Sequence, residues 1–338
     1  MLFGRGIVWA EGEVHNRQRK ALNPAFSASQ LRQFLDLFQR STSRLAKKWK
    51  EEELVDGTGN GKVINVTHWL PRITLDVIGE SAFGYDFGAL DGRANELGEI
   101  FKHMFADSRL YPEDMRQPLI TNQATTTWLL YELGKSLKDQ SRVYDEIREM
   151  RSRIGPDVEP TASDYDSMPF FNAVIKEGLR LHPIVPALIR QAASDDVIPL
   201  EFPVISESGE ELSQIPVSKG QRVSVSISVY NRLTQVWGKD ANEWNPERFL
   251  HESKKDTTLG VYANLMTFSA GVRACIGWRF ALMELQAILF GLLEKFEFSP
   301  GPEGLDDIQR VPAGLMIPMK KGHWMDGIQM PLRVKVRD

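Results

Sequence analysis

The segment Phe268-Ser-Ala-Gly-Val-Arg-Ala-Cys-Ile-Gly277 contains the only cysteine of the 338-residue chain, in an unusual local context. Gly271 can supply a positive φ or a bulge, and Arg273 places a cation close to the Cys275 thiol. An apolar sequence begins at Ile276 and predicts a helix whose N-terminus lies beside the sulfur. Cations and helix N-termini both favour the thiolate form. Because a thiolate in an apolar pocket is a soft ligand suited to iron, the segment predicts an iron-binding cysteine.

Two other interpretations of Cys275 stay open at this point. A lone cysteine is usually a small, buried, apolar residue without a chemical role. A cysteine can also act as a nucleophile, but such a site needs a histidine base nearby. No histidine lies close to Cys275 in the sequence, although a distant one could approach it in the fold.

The composition is that of an ordinary globular protein, with 42% hydrophobic and 25% charged residues. The net charge of -4 gives no reason to expect a nucleic-acid partner. A single cysteine excludes an internal disulfide and cysteine-rich zinc or iron–sulfur sites, and it fits a reducing compartment. No signal peptide and no bilayer-spanning apolar stretch is expected.

Hydrophobic spacing predicts a mainly α fold with a minor β-sheet, which is an α+β class. In the first half, apolar residues follow helical spacing at Leu31, Phe34, Leu35, Phe38, Leu45 and Trp49. In the second half, Val223, Val225, Ile227 and Val229 alternate with polar residues and predict a strand. The last long helix is expected from about Ile276 to Lys295.

Glu177 and Arg180 lie one helical turn apart in a largely apolar run. Such a pair is usually solvated and contributes little to stability. If the pair faces inward, its charges need a further partner. Arg248 is a candidate, because arginine can bond a carboxylate through two parallel hydrogen bonds.

A basic stretch near the start of the chain contains His15 and Arg19, which are four residues apart. They share one face if this stretch is helical. The simpler interpretation is a solvated basic face.

Together these segments resemble the haem-thiolate monooxygenases, the cytochrome P-450 family, in a fungal, microsomal-type style. The Phe-x-x-Gly-x-Arg-x-Cys-x-Gly pattern at 268–277 is highly specific, and Glu177, Arg180 and Arg248 precede it in the family's order. The resemblance extends to residues 15–26, 75–84 and 236–249. Nearly the whole chain therefore matches, except around residues 101–120.

The resemblance implies an oxidoreductase that binds haem b, the iron protoporphyrin IX (heme b) cofactor. Cys275 would be the metal ligand, and its thiolate would favour O–O cleavage. Phe268 would pack beside the sulfur and exclude water. The other cofactor-binding residues that it implies are His15, Arg19, Arg190 and Arg273, as propionate contacts, and Gly277. Glu177, Arg180 and Arg248 would form a buried structural triad that holds the loop before the cysteine.

The sequence departs from the family in two places. It begins near the family's haem-contacting helix, so the family's N-terminal anchor and first strands are expected to be absent. The middle is also too short to roof a substrate pocket. We interpret residues 1–338 as one domain of incomplete cytochrome P-450 fold, with an N-terminal helical part at 1–105, a deletion junction at 106–125 and a haem-ligating part at 126–338.

The family's oxygen-activating acid–threonine motif is missing in its usual form. Thr121 falls nearest to the family's threonine, and Thr121 and Thr125 are the catalytic candidates. The alternative for both is a hydroxyl that bonds back to a helix carbonyl.

The expected activity is insertion of one oxygen atom from O2 into a small apolar organic substrate, with electrons from an NADPH-dependent reductase. Arg17, Lys20 and Arg279 are the expected basic docking patch for that donor. The alternative function is a degenerate or truncated haem-binding protein without turnover. Relatives associate with the cytosolic face of the endoplasmic reticulum; without the anchor, the expected location of this chain is cytoplasmic or undetermined.

Overall fold

The computed structural model describes residues 5–55, 59–93, 121–251, 259–313 and 315–337. Within these ranges most of the regular structure is helical, and the strands form small sheets. The mainly α fold with minor β-structure that the sequence predicts is therefore confirmed.

The α-helices are of very different lengths, and the long ones make up the interior of the molecule. They are α1 (Gly12–Leu22), α2 (Ala28–Gln33), α3 (Leu35–Lys48), α4 (Leu70–Ile78), α5 (Thr121–Lys135), α6 (Leu137–Ile154), α7 (Ala162–Asp166), α8 (Pro169–Leu181), α9 (Ile227–Tyr230), α10 (Thr234–Trp237) and α11 (Trp278–Lys295).

All strand pairs in the described residues are antiparallel. One three-stranded sheet has the order β1-β9-β6, and three further pairs are β2-β5, β3-β4 and β7-β8. The strands are β1 (Lys62–Asn65), β2 (Ala187–Gln191), β3 (Asp196–Ile205), β4 (Glu211–Val217), β5 (Arg222–Ser226), β6 (Phe296–Pro300), β7 (Ile308–Ala313), β8 (Leu315–Lys320) and β9 (Pro331–Val336).

The core lies where the long helices meet. α11 packs along α3, and α5 contacts α8, α11 and β6. α11 buries Leu285, Ile288, Leu289 and Leu292 at the helical spacing that the sequence predicts. Full burial of one such side chain contributes about 1.5–3 kcal/mol. α11 is therefore a firm base for the Cys275 loop that leads into it, and it begins at Trp278 rather than at Ile276.

The strand predicted from Val223 to Val229 is wrong in its second half. β5 ends at Ser226, and the hydroxyl of Ser226 accepts a hydrogen bond from the backbone N–H of Val229 at 3.2 Å. This is an N-cap, and it starts the short helix α9. The alternating pattern could not show it, because Ile227 is buried as a helical residue just as it would be in a strand.

Among the residues that the structure describes, no helix combines the length and the apolar character needed to cross a membrane.

Candidate functional site

Cys275 lies in a tight loop between residue 268 and the start of α11. The backbone N–H of Cys275 donates to the carbonyl of Phe268 at 2.8 Å, which closes the loop. Gly271 adopts φ 65°, the positive value that the sequence allows for, and Ser269 adopts φ 60°. Glycine takes a positive φ at no steric cost, so Gly271 suits this turn, whereas Ser269 adopts the same region with a side chain.

The electrostatics of the thiol come from three sources. Burial raises the pKa of Cys275, while the backbone N–H of Gly277 and the charge of Arg19 act in the opposite direction. Yet Cys275 keeps an exposed surface. A sulfur that is enclosed by protein on one side and open on the other accounts for both observations.

The cation beside the sulfur is Arg19 rather than Arg273. The Arg19 guanidinium, on α1, donates to the carbonyl of Ala274 at 2.6 Å. The sequence prediction of a helix N-terminus next to the thiol holds, because the Gly277 N–H bonds to Cys275 and Gly277 is the N-cap of α11. Arg19 is the cation whose charge acts to lower the pKa of the Cys275 thiol. The propionate contact of Arg273 stays a prediction.

The structure brings Glu177, Arg180 and Arg248 together in the interior behind this loop. Arg180 donates to the two carboxylate oxygens of Glu177 at 2.7 and 2.8 Å, and both side chains are fully buried. Arg248 adds hydrogen bonds to the same carboxylate at 3.1 Å. The pair is thus not the solvated helix pair that is most common at this spacing.

Two members of this network were missed by the sequence analysis. Asp240 accepts from Arg248 at 2.9 Å, and hydrogen bonds from Asn245 and then Arg248 lower the pKa of Asp240. Asn231 is fully buried, and its backbone carbonyl accepts from Arg180 at 2.8 Å. The only sequence signal for Asp240 is its place eight residues before Arg248, and Asn231 carries no signal by itself.

The remaining residues that the resemblance assigns to the cofactor are found in different surroundings. His15 is buried on α1, and Phe268 is partly buried against the core. Arg190 is exposed on β2, and its guanidinium donates to the carbonyl of Ile189 at 3.0 Å. Gly277 packs against the ring of Phe26, which would lie 3.4 Å from a Cβ at this position. Arg19 is thus the propionate candidate that contacts the Cys275 loop directly.

The catalytic candidates both fall on α5. Thr121 is its first residue, and its side chain lies outside the described part of the structure. Thr125 is buried one turn further along. Most of the predicted junction at 106–125 also lies outside the described residues.

The residues around Cys275 fit an iron porphyrin. A thiolate that is open on one side can serve as one ligand of an iron atom whose other ligands come from a flat macrocycle. The exposed apolar side chain of Val272 and the open space next to Gly271 leave room for a flat apolar group on this side of the loop.

A mainly helical fold that presents one cysteine sulfur open on one side, with a buried charge network nearby, is the arrangement expected of a haem-thiolate protein. The comparison with known families agrees. The model of the Cytochrome P450 family matches residues 1–121 and 119–325, so the chain belongs to the cytochrome P450 family.

The curated relatives are fungal. Cytochrome P450 monooxygenase claP of Ampulloclitocybe clavipes is 29% identical over 99% of this chain and 78% of its own length. Cytochrome P450 monooxygenase 205 of Postia placenta is 30% identical with the same coverage. The chain is a haem-binding oxidoreductase of the P450 monooxygenase type, and the predicted family is confirmed.

The alignment with the relatives is longer than the chain itself. The alignment with claP extends over 422 residues, although this chain has only 338. The two matches to the family model meet at residues 119–121. This meeting point falls inside the range 106–125, which stays a prediction as the junction.

Proposed function

We propose that Cys275 is the axial thiolate ligand of haem b and that the chain oxidises small apolar organic substrates. The observation that carries the proposal is the thiol of Cys275. It is the only cysteine thiol in the chain, it is open on one side, and it receives a hydrogen bond from the N-terminus of α11. When bound, the haem supplies oxygen activation, which thiolate ligation promotes.

The chain's own residues shape this ligand. Gly277 and Arg19 place partial or full positive charge near the sulfur, which favours the thiolate over the thiol. Phe268 accepts the Cys275 N–H and packs its ring near Tyr262, with the ring centres 6.4 Å apart. This apolar flank keeps water away from the sulfur.

His15, Arg19, Arg190 and Arg273 are the proposed contacts for the two propionates. Cations suit carboxylates because charge-assisted hydrogen bonds are about twice as strong as neutral ones. Arg190 and Arg273 support the assignment, since neither is bound to a carboxylate within the described part of the chain. Thr121 and Thr125 remain the proposed sources of proton delivery, supported by their place on the helix that contacts α8 and α11.

An NADPH-dependent reductase is the proposed electron donor, and Arg17, Lys20 and Arg279 are its proposed docking patch. All three are exposed. Arg17 and Lys20 share α1 with Arg19, which bonds to the Cys275 loop, and Arg279 lies in the first turn of α11. The patch therefore lies on the two helices that flank the ligand.

The test of the ligand is the absorption spectrum of the reduced, carbon-monoxide-treated protein. Wild type is expected to show the red-shifted Soret band of thiolate ligation. Substrate oxidation with a reductase should follow; reductant use that yields only peroxide would identify a haem protein without turnover. Charge reversal at Arg17, Lys20 and Arg279 should slow reduction more at low salt than at high salt, and unchanged rates would remove the docking patch.

A nucleophilic cysteine without haem is not supported by the geometry. No histidine forms a hydrogen bond with Cys275 among the described residues, so the required base is missing there.

A further inference from the structure

Asn231 connects the buried charge network to the segment that precedes Phe268. Its side chain is completely buried. The side-chain oxygen accepts the backbone N–H of Met266 at 3.0 Å, and the side-chain nitrogen donates to the hydroxyl of Thr267 at 2.8 Å. Both bonds end on the two residues immediately before Phe268.

The same two residues are tied to α8 by a second route. The hydroxyl of Thr267 donates to the carbonyl of Leu179 at 2.7 Å, and Leu179 lies between Glu177 and Arg180 on α8. Arg180 in turn donates to the backbone carbonyl of Asn231. Asn231 and Thr267 therefore close a ring of hydrogen bonds between α8 and the start of the Cys275 loop.

The polarity of this ring has one solution. A backbone N–H only donates, so the amide oxygen of Asn231 faces Met266 and its NH2 group faces Thr267. The Thr267 hydroxyl accepts from Asn231 and uses its own proton for Leu179. Each group is satisfied, and loss of any one member leaves a buried polar group without a partner.

The ring ends one residue from the bond that holds the cysteine. Phe268 follows Thr267, and its carbonyl accepts the Cys275 N–H at 2.8 Å. A shift of Met266 and Thr267 relative to α8 therefore moves the acceptor of that bond, and the sulfur with it. By contrast, the triad residue Arg248 bonds to Glu177, Trp237 and Asp240, and not to this loop.

We propose that Asn231 is a positioning residue for Cys275, which acts with the Thr267 hydroxyl to set the place of the sulfur relative to the triad. The inference rests on the proposed role of Cys275 as the haem ligand. It follows that the triad stabilises the packing around α8, whereas Asn231 and Thr267 fix the position of the Cys275 loop relative to α8.

The decisive variants keep side-chain size and remove one bond. Asn231→Asp retains an acceptor for Met266 but cannot donate to Thr267, and Thr267→Val keeps the branched shape without the hydroxyl. Thr267→Ser keeps the hydroxyl and should behave as wild type. Asn172→Asp is the matched control, because the Asn172 amide donates to the carbonyls of Tyr165 and Met168, away from the loop.

Two readouts are needed. In the haem-loaded, reduced, carbon-monoxide-treated protein, Asn231→Asp and Thr267→Val should convert much of the thiolate-type Soret band to the band of a protein that has lost thiolate ligation. Asn172→Asp should lower thermal stability without this conversion. In haem-free protein, amide hydrogen exchange over residues 266–275 should quicken about tenfold in the two loop variants and not in the control.

The outcomes separate the two proposals. Asn231→Asp is compared with Asn172→Asp at equal stability. If Asn231→Asp or Thr267→Val keeps both the thiolate band and the wild-type exchange rates, Asn231 does not position the cysteine. If wild type itself shows no thiolate band, the proposed ligand is wrong, and the exchange rates of the haem-free variants still decide whether Asn231 and Thr267 hold the loop.

Discussion

The two sides of the Cys275 loop are built in opposite ways. On the inner side, Glu177, Arg180 and Arg248 are joined by short hydrogen bonds, and the first two are fully buried. On the open side lie the exposed surface of Cys275 and the exposed side chain of Val272. Arg190, which we propose faces the same ligand, is also exposed and bonds only to the carbonyl of its neighbour Ile189. The inner side is complete from the protein's own atoms, whereas the open side offers charge and apolar surface to a ligand.

The buried charges on the inner side contribute to the stability of the fold, and the exposed groups on the open side contribute to ligand binding. A buried carboxylate needs its partners in every state of the folded protein, because an uncompensated charge is strongly destabilising. An exposed guanidinium is solvated and contributes little until a ligand binds. Changes on the inner side should therefore appear in unfolding experiments, and changes on the open side in cofactor retention.

Cys275→Ala should have the largest effect, because it removes the thiol that lies between the two sides of the loop. We expect complete loss of the thiolate-type Soret band, because no other cysteine exists in the chain. The unfolding free energy of haem-free protein should change little, since the triad does not bond to the thiol. A variant that retained the band would show that Cys275 is not the iron ligand.

Arg180→Ala should break the inner side. It leaves the carboxylate of Glu177 buried without its closest cation, and we expect the free energy of unfolding to fall by about 3–5 kcal/mol. Denaturant unfolding of haem-free protein measures this change. The matched control is Glu247→Ala, which removes the exposed ion pair between Arg142 and Glu247 and should lower the free energy by about 1 kcal/mol or less. Equal losses would contradict the distinction.

The C-terminal end of α8 should make the stability of the fold depend on pH through His182. His182 stacks on Trp128, with ring centres 4.5 Å apart, and its Nε2 lies 2.7 Å from a carboxylate oxygen of Glu132. Burial lowers the pKa of His182. The hydrogen bond and negative charge of Glu132 partly offset this shift, whereas the positive charge of Arg310 adds to it.

The sign follows from this direction. The histidine of the unfolded chain takes up a proton near pH 6.5, whereas the lowered pKa keeps folded His182 neutral to lower pH. The contribution of His182 to the free energy of unfolding is therefore fully present above about pH 6.5 and is lost as the pH falls towards the folded pKa. The loss is at most about 1.4 kcal/mol per pH unit. Urea unfolding across pH 5–8 should show this component in wild type and not in His182→Gln, which keeps a donor for Glu132. Identical slopes would remove His182 as the cause.

Arg190→Ala tests the open side and should have the smallest effect. Haem should be retained about threefold less tightly, in line with one exposed ion pair, and thermal unfolding of haem-free protein should not change. Arg222→Ala is the control, because Arg222 is exposed and pairs with Gln191 on the neighbouring strand. If both variants retained haem like wild type, Arg190 would not contact a propionate.

Part of the site was predictable because its residues are close in the sequence. Gly271, Cys275 and Gly277 lie in one segment, and the turn and helix start that they specify are local properties. Glu177 and Arg180 are one helical turn apart, so their contact also follows from local geometry. Arg248 could be proposed as their partner on chemical grounds alone, because a buried pair requires further compensation.

The residues that were missed act across long distances in the sequence. Asn231 reaches Met266 and Arg180. Arg19 was a candidate for the cofactor, but its hydrogen bond to the carbonyl of Ala274 was not predicted. A carbonyl or backbone N–H has no side chain to mark it in the sequence, so such partners become visible only when the chain is folded. The N-cap by Ser226, whose partner is the backbone N–H of Val229, was not visible in the sequence for the same reason. This cap starts α9 where the second half of the predicted strand was expected.

Three features could be predicted from the sequence alone: Cys275 as the proposed iron ligand, the positive φ of Gly271 in its loop, and the mainly helical class. Each depends on residue type and short spacing. Only the tertiary structure decided which cation lies beside the sulfur, which asparagine ties the loop to α8, and which charged groups are buried. Those depend on the meeting of segments remote in the chain, and the energy of a charge or polar group is set by the burial and partners that such meetings create.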